Sequence, residues 1–478
     1  MSLPTSWHGD WSQLRAVVLG LGKSGFSALD TLVELGVEAL AVGEAADERL
    51  VDLAEVIGSK FIVDDSPKVL DQLGFTPDFA VVSPGFAPSH PLVQELETRK
   101  VQLITDIDLA YRLRDKTPRV AKWIVVTWTN GKTTTCELTA AMLAAEGHRA
   151  IACGNIGNPI LDAIRDPEGF DFLVVELSSF QLHYLGEIHP LASAFLNLAE
   201  DHLDWHGDMQ SYFEAKSKIY LGTEVAIVFN EQDPKTLEAA QQADVLEGCR
   251  AIAFSLFTPQ KSAVGFVEDI LVDRAFLANR AEEALEIATE SELSQIGPVS
   301  DQLRANVAAA TALARAAAVP PQSIRRAITT FKLSPHRNQL VTEIDGVLFV
   351  NDSKATNAHA ANSSLSAYDS VVWIVGGLFK GVNPAELIKK HGTRLRAAVL
   401  IGSETEQLAK LFSELLPGTA ISVISGDSVM RDAVLAAQTL AEPGDTVLLA
   451  PAAASMDQFR DYADRGESFV RAVGELGA

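Results

Sequence analysis

A lysine and several hydroxyl side chains lie between a predicted strand and a predicted helix in the segment Thr129-Asn130-Gly131-Lys132-Thr133-Thr134. The apolar run 123–128 is typical of a buried parallel strand, and the Ala- and Leu-rich run 137–145 is typical of a helix. In such a loop, backbone N–H groups and the helix N-terminus face phosphate oxygens. Lys132 is therefore predicted to contact the terminal phosphates of a nucleoside triphosphate, and the Thr133 hydroxyl to bind Mg²⁺. The alternative is an ordinary strand–turn–helix with a surface lysine.

Trp128 precedes this loop, at a position where glycine is expected because glycine allows close approach of the backbone and a positive φ. The indole could face outward over a bound base, or it could crowd the phosphates. Both alternatives remain open at the level of sequence.

Acidic and imidazole groups follow two further predicted strands. Glu176 ends the apolar run 172–176, where a second Mg²⁺ ligand of a phosphate-loop protein is expected. His202 lies in the segment 197–206, which is rich in acids and histidines and could equally be a solvated loop. Lys216 follows Tyr212 by four residues and so shares its helix face; the alternative for this lysine is a solvated amine.

The amino-terminal segment carries a strand, a glycine turn and a helix start at 15–25, and then a second strand that ends at Glu44. This order resembles half of a Rossmann fold, in which an acid accepts a ribose hydroxyl. The third glycine comes one residue early for a nicotinamide site, so a uridine diphosphate could occupy the same helix N-terminus. A glycine turn needed only for packing is the alternative. A later strand, 79–83, leads into Pro84-Gly85 at another loop of the same edge.

The carboxyl-terminal segment repeats this arrangement. The strand 347–350 leads into Asn351-Asp352-Ser353-Lys354-Ala355-Thr356-Asn357, which indicates ligand binding more strongly than simple capping. The strand 371–375 leads into a lysine, Lys380, that is flanked by glycines. The strand 445–450 leads into a loop that contains Ser455. Alternating strands and helices predict a small α/β domain here.

Composition and charge limit the function classes. The chain has 478 residues, 47% hydrophobic and 21% charged, which predicts about three domains that each bury a core. A net charge of −24 argues against a nucleic-acid surface. The three cysteines, Cys136, Cys153 and Cys249, have no metal-like spacing and suggest a reducing compartment. No signal pattern or membrane-spanning run is found, so a cytoplasmic enzyme that binds no nucleic acid and inserts into no membrane is expected. A monomer is expected as well, although no sequence pattern specifies the oligomeric state.

We therefore predict an α/β protein of three domains. Residues 1–114 are predicted to form a Rossmann-like domain, residues 115–333 a central P-loop NTPase-like, mononucleotide-binding domain, and residues 334–478 a second Rossmann-like domain. The acidic stretch from about 231 to 298 is interpreted as an irregular surface excursion.

Taken together, the motifs resemble those of the Mur ligases over essentially the whole chain outside the acidic stretch. The resemblance is carried by Thr-Asn-Gly-Lys-Thr-Thr, Glu-Leu-Ser-Ser-Phe-Gln, Glu-Asp-His-Leu-Asp, Ala-Lys-Ser-Lys-Ile, Asn-Asp-Ser-Lys-Ala-Thr-Asn and Ala-Ser-Met-Asp-Gln-Phe, in this order. The amino-terminal Gly-Leu-Gly-Lys-Ser-Gly and the carboxyl-terminal Ala-Ser-Met-Asp-Gln-Phe favour the branch that adds D-glutamate. The family resemblance implies that the first predicted domain binds a UDP-linked substrate and that the third binds amino-acid and nucleotide groups.

The resemblance implies ATP-driven amide synthesis with Mg²⁺ in peptidoglycan precursor synthesis. The alanyl carboxylate of UDP-N-acetylmuramoyl-L-alanine attacks the γ-phosphate and becomes an acyl phosphate. The amine of D-glutamate then attacks that carbonyl, and phosphate leaves. The protein is expected to position the reactants and to neutralise their negative charge, as in other phosphoryl transfers.

The resemblance also implies roles for individual residues. Lys132, Glu176, His202 and Lys216 are the expected catalytic group. Thr133 is expected to hold the Mg²⁺ of the ATP phosphates, Glu176 and His202 to hold a second Mg²⁺ on the substrate side, and carbamylated Lys216 to support the metal. The expected ATP-binding residues are Thr129, Asn130, Gly131, Lys132, Thr133, Thr134, Asn306, Arg337 and Asp352. Expected substrate contacts are Ser24, Glu44 and Ser83 near uridine diphosphate, Asn155 and Ser178 near the muramoyl-alanyl group, and Lys354, Thr356, Lys380, Ser455 and Tyr462 toward D-glutamate. Trp128, Ala450 and Tyr462 depart from the usual glycine, serine and phenylalanine.

Three rival functions remain at this level. A sister ligase such as a folylpolyglutamate synthase would add an amino acid to another carboxylate, but it begins directly with the phosphate loop. A nucleotide-binding homologue made inert by Trp128 would bind ATP without turnover, and Trp128→Gly would restore its activity. A dehydrogenase, suggested only by the first glycine turn, would bind a nicotinamide cofactor.

Overall fold

The computed structural model describes residues 3–129, 132–379, 381–426 and 428–476, with the backbone alone for residues 132 and 204. The chain divides into two compact units, Met1–Thr289 with Ala305–Ile328, and Glu290–Arg304 with Thr329–Ala478. Among the described residues, twenty strands form three sheets, two in the first unit and one in the second. The predicted α/β class is confirmed. The domain boundaries at 114/115 and 333/334 remain predictions.

The first sheet is parallel, with strand order β3-β2-β1-β4-β5. Its strands are β1 Arg15–Leu19, β2 Glu38–Gly43, β3 Phe61–Val63, β4 Phe79–Val82 and β5 Gln102–Ile104. Its helices are α1 Lys23–Glu34, α2 Glu48–Val56, α3 Pro91–Thr98 and α4 Asp106–Arg112, with a 3₁₀ helix at Pro67–Asp71. The residues Ala16–Leu19 are fully buried because helices cover both faces of the central strand.

The second sheet has the order β14-β13-β12-β11-β10-β9-β6-β8-β7. Its strands are β6 Lys122–Thr127, β7 Ala150–Gly154, β8 Phe172–Glu176, β9 Ala192–Phe195, β10 Ala226–Asn230, β11 Arg250–Phe254, β12 Ala263–Val267, β13 Ile270–Asp273 and β14 Leu285–Thr289. The helices are α5 Lys132–Ala145, α6 Ile160–Arg165, α7 Ser179–Tyr184, α8 Leu203–His206, α9 Met209–Ser217, α10 Pro234–Gln241, α11 Glu290–Leu293, α12 Asp301–Ala316 and α13 Pro321–Thr330, with a 3₁₀ helix at Lys218–Tyr220. Strands β6 to β12 pair in parallel, so their carboxyl ends share one edge.

The acidic stretch is more regular than its sequence predicts, so the irregular excursion is corrected. Strands β11 to β14 extend the second sheet, and β12, β13 and β14 are antiparallel neighbours. Most buried residues of these strands, such as Ile252, Val264 and Leu271, are apolar, and most acids lie in the connections. The exception is Asp273, which is buried at the end of β13 and forms an ion pair with Arg315. Each run is only four or five residues long, which is why periodicity alone did not reveal it.

The third sheet has the order β15-β16-β20-β17-β18-β19, and only its edge strand β15 is antiparallel. Its strands are β15 Gln339–Ile344, β16 Val347–Asn351, β17 Val371–Gly376, β18 Leu395–Ile401, β19 Ala420–Val423 and β20 Thr446–Leu449. Its helices are α14 Ala358–Ser366, α15 Ala385–His391, α16 Thr405–Leu415, α17 Val429–Leu440 and α18 Tyr462–Leu476. Two apolar clusters, one on each face, form its core. Across all described residues, no helix has the length and apolar content that crossing a membrane requires.

Candidate active site

The predicted phosphate loop follows strand β6, which pairs with β8 and β9, and directly precedes α5. Asn130, Gly131 and the side chain of Lys132 lie outside the described residues, so the contacts predicted for them are untested. The backbone register pairs Val126 of β6 with Glu176 of β8, so the carboxylate lies at the adjacent strand end. The Thr133 hydroxyl donates a hydrogen bond of 3.0 Å to Glu176 Oε2. The structure thus brings together the two residues predicted to hold Mg²⁺ at this loop.

Glu176 also organises the next loop. Its side chain is buried, and Oε1 accepts a hydrogen bond of 3.0 Å from Asn155 Nδ2. The Asn155 N–H donates to the Glu176 carbonyl at 2.9 Å, which fixes the turn after β7 against the end of β8. Hydrogen bonds therefore connect the Thr133 hydroxyl, the Glu176 carboxylate and the Asn155 amide at the carboxyl edge of the sheet.

Lys216 lies inside the protein, 1% exposed, so the solvated alternative is wrong. Its ammonium group donates to Thr127 Oγ1 at 3.2 Å and to the Trp128 carbonyl at 2.9 Å, and lies 5.0 Å from the centroid of the Tyr212 ring. Asp208 caps the amino end of α9 by accepting from the Ser211 N–H, which sets the helix that carries this lysine. Helix α9 thereby places the buried Lys216 amine against Thr127 and Trp128, directly before the phosphate loop.

His202 lies in a left-handed conformation, with φ of 53°, directly before α8. Its Nε2 lies 3.5 Å from Asp201 Oδ2, and its ring packs edge-on against Phe180 and Tyr212. The Tyr212 hydroxyl is 3.3 Å from Thr129 Oγ1, and burial raises the pKa of this tyrosine. Thr129 is buried and also accepts from the Ala199 N–H at 3.1 Å, so it ties the phosphate loop to the His202 loop. Thr134, on α5, is buried as well.

Among the described residues, no group of three or more histidine, cysteine, aspartate or glutamate side chains could by itself hold a metal ion. The oxygen pair of Thr133 and Glu176 nevertheless suits Mg²⁺, which takes hard oxygen ligands and is usually held by one or two carboxylates with waters and substrate phosphates. The residues present therefore fit the implied ion in the setting of a bound nucleotide.

Trp128 is only 1% exposed, so its indole does not face outward over solvent. Its carbonyl oxygen, rather than its ring, accepts the hydrogen bond from Lys216. The indole is among the largest fully buried side chains of the protein. The residue therefore belongs to the interior beneath the loop.

Ser178 caps helix α7 through a capping box that the sequence already contains as Ser178-x-x-Gln181. Gln181 Oε1 accepts from the Ser178 N–H and hydroxyl, while its Nε2 donates to Asp106 Oδ1 at 3.2 Å. Burial raises the pKa of Asp106 to about 6, and the Gln181 hydrogen bond acts in the opposite direction. Asp106 belongs to none of the sequence motifs, because it lies 75 positions from its partner.

The residues predicted near uridine diphosphate share one edge of the first sheet. Ser24 lies in the first turn of α1 after β1, Glu44 follows β2 and is exposed, and Ser83 follows β4. The Ser83 hydroxyl donates to the Gly20 carbonyl at 3.4 Å. At Gly25, a Cβ atom would lie 2.0 Å from the Gly20 carbonyl oxygen, so the turn requires a glycine there.

The second unit gathers most of the remaining predicted residues at the neighbouring ends of β16 and β20. Asp352 is buried; its Oδ1 accepts from the Asn338 N–H, and its Oδ2 accepts from the Ser364 hydroxyl. Burial raises the pKa of Asp352, while these hydrogen bonds and the nearby Arg337 charge lower it. Lys354 Nζ lies 3.7 Å from the centroid of the Tyr462 ring.

The other predicted residues are located as follows. Ser455 is buried in the loop after β20, and Thr356 is half-buried after β16. Arg337 is half-buried, two positions before β15. Asn306 is buried on α12, in the first unit. Lys380 lies outside the described residues.

Comparison with known proteins agrees with this geometry. A family model described as Mur ligase middle domain matches residues 126–314, and one described as Mur ligase, glutamate ligase domain matches residues 336–453. The UDP-N-acetylmuramoylalanine–D-glutamate ligase of Leifsonia xyli subsp. xyli is 50% identical, and the alignment covers 98% of this chain and 94% of the relative. The chain belongs to the Mur ligase family. The ligase of the same name from Tropheryma whipplei strain Twist is 43% identical to this Mur ligase over 99% of the chain and 98% of the relative.

Solved structures show the same fold for this Mur ligase at low identity. The UDP-N-acetylmuramate–alanine ligase MurC of Thermotoga maritima aligns with a TM-score of 0.60 and 15% identity, covering 97% of this chain and all of that one. The MurF ligase of Thermotoga maritima in complex with ADP aligns with a TM-score of 0.53 and 17% identity, covering 98% and 97% of the two chains.

Proposed function

We propose that the chain is an ATP-dependent ligase that joins D-glutamate to UDP-N-acetylmuramoyl-L-alanine in peptidoglycan precursor synthesis. The observation that carries the proposal is the Thr133–Glu176 contact at the end of the phosphate strand, in a chain 43–50% identical to relatives named for this reaction over nearly their full length. The rival dehydrogenase and the inert nucleotide-binding homologue have no comparable support.

The proposed reaction has two steps. An alanyl carboxylate oxygen attacks the γ-phosphorus of ATP, ADP leaves, and an acyl phosphate forms. The amine of D-glutamate then attacks the acyl carbon, the carbon–oxygen bond breaks, and phosphate departs with the former carboxylate oxygen. Most of the catalytic gain in such reactions comes from positioning and from stabilising negative charge.

Residues of the first unit are proposed to act on the phosphoryl groups. The backbone of the phosphate loop and the N-terminus of α5 would bind phosphate oxygens, with the Lys132 ammonium neutralising those toward the γ-phosphate. Bound Mg²⁺ would offset phosphate charge, with Thr133 and Glu176 as its protein ligands and His202 as a further ligand. Asn155, held by Glu176, would orient the muramoyl-alanyl group.

We also propose that the Lys216 amine is carbamylated. The buried amine donates to Thr127 and to the Trp128 carbonyl, directly before the loop proposed to receive ATP and Mg²⁺, where a cation is repelled. Addition of carbon dioxide turns the ammonium group into a carbamate, which is anionic and can support the metal. A buried lysine can release its proton more easily than an exposed one, as this reaction requires.

The second unit is proposed to supply the amino-acid end. Lys354, Thr356, Lys380 and Ser455 would hold the carboxylates of D-glutamate, and Tyr462 would orient Lys354. Arg337 and Asp352 would contact the nucleotide phosphate and ribose, and Asn306 of the first unit would contact adenine. We further propose that the chain acts as a cytoplasmic monomer, because ATP and a UDP-linked precursor are its substrates.

The test is phosphate release by the purified chain with ATP, Mg²⁺ and UDP-N-acetylmuramoyl-L-alanine, on addition of one amino acid at a time. D-glutamate should support turnover, while L-glutamate, L-alanine and diaminopimelate should support far less. Turnover with another amino acid would assign the chain to a different ligase reaction. Binding of ATP with no turnover for any amino acid would favour the inert homologue.

A further inference from the structure

The second unit contains a buried guanidinium group that none of the roles above includes. Arg465 lies in the first turns of α18 and is 1% exposed. No carboxylate of the described residues forms an ion pair with it, although the Asp457 carboxylate is near enough to raise its pKa. Burial acts more strongly and lowers the pKa of Arg465 to about 10, so the group stays charged at neutral pH.

The guanidinium group donates hydrogen bonds to two separate loops. Nε donates to Ser353 Oγ at 3.0 Å and Nη2 donates to the Ser353 carbonyl at 2.9 Å. Nη1 donates to the Ala453 carbonyl at 3.2 Å. These bonds join the loop after β16 to the loop after β20, two strands that are adjacent in the sheet. Ala452 N–H donates to the Ala355 carbonyl at 2.9 Å, so the two loops also contact each other directly.

The joined loops carry residues proposed to bind D-glutamate. Lys354 follows Ser353 directly, and Ser455 lies two positions after Ala453. The same helix contributes Tyr462, whose ring lies beneath the Lys354 ammonium and whose carbonyl accepts from Ser353 Oγ at 2.7 Å. The amino-terminal end of α18 therefore contacts both loops and carries Tyr462, the side chain that faces Lys354.

Simple packing does not account for an arginine here. An apolar side chain of similar length would fill the same volume without the cost of desolvating a charge. What the guanidinium group adds is a planar fork of donors that reaches both loops, and a positive charge close to the loops proposed to bind an amino acid with two carboxylates. A lysine would place one charge there but could not span both loops with the same geometry.

We propose that Arg465 is a positioning residue that fixes the two loops relative to each other and thereby sets the affinity for D-glutamate. The proposal rests on the ligase function given above. It assigns Arg465 no contact with substrate, because the side chain is buried and three of its N–H donors bond Ser353 and Ala453.

The first experiment measures kcat and the three KM values for Arg465→Met and Arg465→Lys. The KM for D-glutamate should rise about tenfold or more in Arg465→Met, and by a smaller factor in Arg465→Lys. The KM for the UDP-linked substrate should stay within about twofold, because its proposed contacts lie in the first unit. The KM for ATP should rise less than the KM for D-glutamate, because Asp352 is the one proposed nucleotide contact that borders the joined loops. Arg471→Met is the matched control, since Arg471 lies on the same helix and is exposed.

A second experiment separates positioning from general stability. Arg465→Ala leaves space for a free guanidinium ion, so millimolar guanidinium chloride should lower its KM for D-glutamate, while urea and sodium chloride should not. Ser353→Ala removes the hydroxyl that accepts from Arg465 Nε and donates to the Tyr462 carbonyl, and it leaves the other two guanidinium hydrogen bonds in place. It should therefore give a smaller rise in the same KM without loss of folding.

The outcomes separate this inference from the ligase proposal. If the wild-type chain turns over D-glutamate but the Arg465 variants that fold keep its KM, the positioning role is wrong and the ligase function stands. Equal changes in all three KM values, with a lower melting temperature and no rescue by guanidinium, would also overturn the positioning role. A wild-type chain without D-glutamate turnover would instead contradict the ligase function itself.

Discussion

The surroundings of Trp128 decide how its difference from the glycine expected at this position is interpreted. A tryptophan in place of a loop glycine suggests either a contact with the base or a blocked phosphate site. The side chain is instead fully buried, and the loop uses the Trp128 backbone carbonyl to hold Lys216. The departure is therefore a packing feature rather than evidence for an inert site.

Trp128→Gly should consequently harm the protein rather than restore activity. Removing a buried indole leaves a large cavity, at a cost of about 3–5 kcal/mol in the free energy of unfolding. Denaturation and steady-state turnover should both show a loss, while Trp128→Phe, which keeps most of the apolar volume, should lie closer to wild type. Higher turnover in Trp128→Gly would support the rival view that the indole blocks the nucleotide.

Lys216 permits a test of the carbamate. Lys216→Met keeps most of the buried volume and removes the amine, whereas Lys216→Ala also opens a space. Both variants should lose turnover by orders of magnitude, and acetate should partly restore Lys216→Ala because its carboxylate can occupy the carbamate position. Lys235→Ala is the control, because Lys235 is exposed and forms an ion pair with Glu238. This variant should keep its turnover, and acetate should not alter it. Full turnover of Lys216→Met would refute the carbamate role.

Asp106 gives a prediction with a defined pH dependence. Its folded pKa of about 6 lies above the ordinary value of 3.8 because burial disfavours the charged carboxylate. Stability from this group is therefore fully present below pH 3.8 and is lost as the pH rises through 6. Asp106→Asn should raise the free energy of unfolding at pH 8 by up to about 3 kcal/mol and by little near pH 4.

The neighbouring Asp108 is the control for that experiment. Its carboxylate accepts hydrogen bonds from the Thr105 N–H, the Thr105 hydroxyl and the Gly186 N–H. Each of these three bonds requires an acceptor oxygen on the side chain at position 108. Asp108→Asn should lower the free energy of unfolding by about 1–3 kcal/mol, because an amide N–H₂ would face one of these donors. If Asp106→Asn destabilised the protein equally at both pH values, the effect ascribed to burial would be wrong.

At the scale of elements, the first strand–turn–helix depends on close backbone approach at Gly25. Gly25→Ala would place a Cβ atom 2.0 Å from the Gly20 carbonyl oxygen, so β1 and α1 could not keep their spacing. We expect a loss of about 3 kcal/mol in the free energy of unfolding and weaker binding of the UDP-linked substrate. Gly22→Ala is the matched control, because a Cβ atom there would have no described neighbour within 4 Å and the φ of Gly22 is −85°. Equal behaviour of the two variants, measured by denaturation and calorimetry, would contradict the packing argument.

Elements with long apolar runs were predictable from sequence. The runs at β6, β8 and β17 are uninterrupted and lead into polar loops, so the strands and the edge that carries the site follow from periodicity and from parallel topology. The strands β11 to β14 are short and interrupted by acidic turns, so no local pattern separated them from irregular chain.

The supporting contacts were less predictable than the motifs. Arg465 lies on an amphipathic helix, where a charged side chain is typical of a solvated face, yet its partner Ser353 is 112 positions away. Asp106 and Gln181 are likewise joined only by the fold. Residues that hold a motif in place are specified by tertiary contacts, which single-sequence patterns do not contain.

For the whole molecule, the proposed chemistry divides between the two compact units. The first unit contains the phosphate loop, Glu176, His202 and Lys216, and the second contains Lys354, Thr356 and Ser455. The reaction joins two anionic substrates and consumes a third, ATP, so it needs charge neutralisation from several elements. We therefore expect the replacement of one group to affect turnover differently from the replacement of another. The central claim is that the first set serves phosphoryl transfer to the alanyl carboxylate, and that the second set holds the D-glutamate whose amine then forms the amide.

The most direct test follows the oxygen atoms of that carboxylate. UDP-N-acetylmuramoyl-L-alanine labelled with ¹⁸O in the alanyl carboxylate is incubated with the purified chain, ATP, Mg²⁺ and D-glutamate, and the released phosphate is examined by mass spectrometry. One ¹⁸O atom should appear in each phosphate formed, together with one amide product. Phosphate that carries no ¹⁸O, released without amide formation, would mean that water attacks ATP and that the chain is not this ligase.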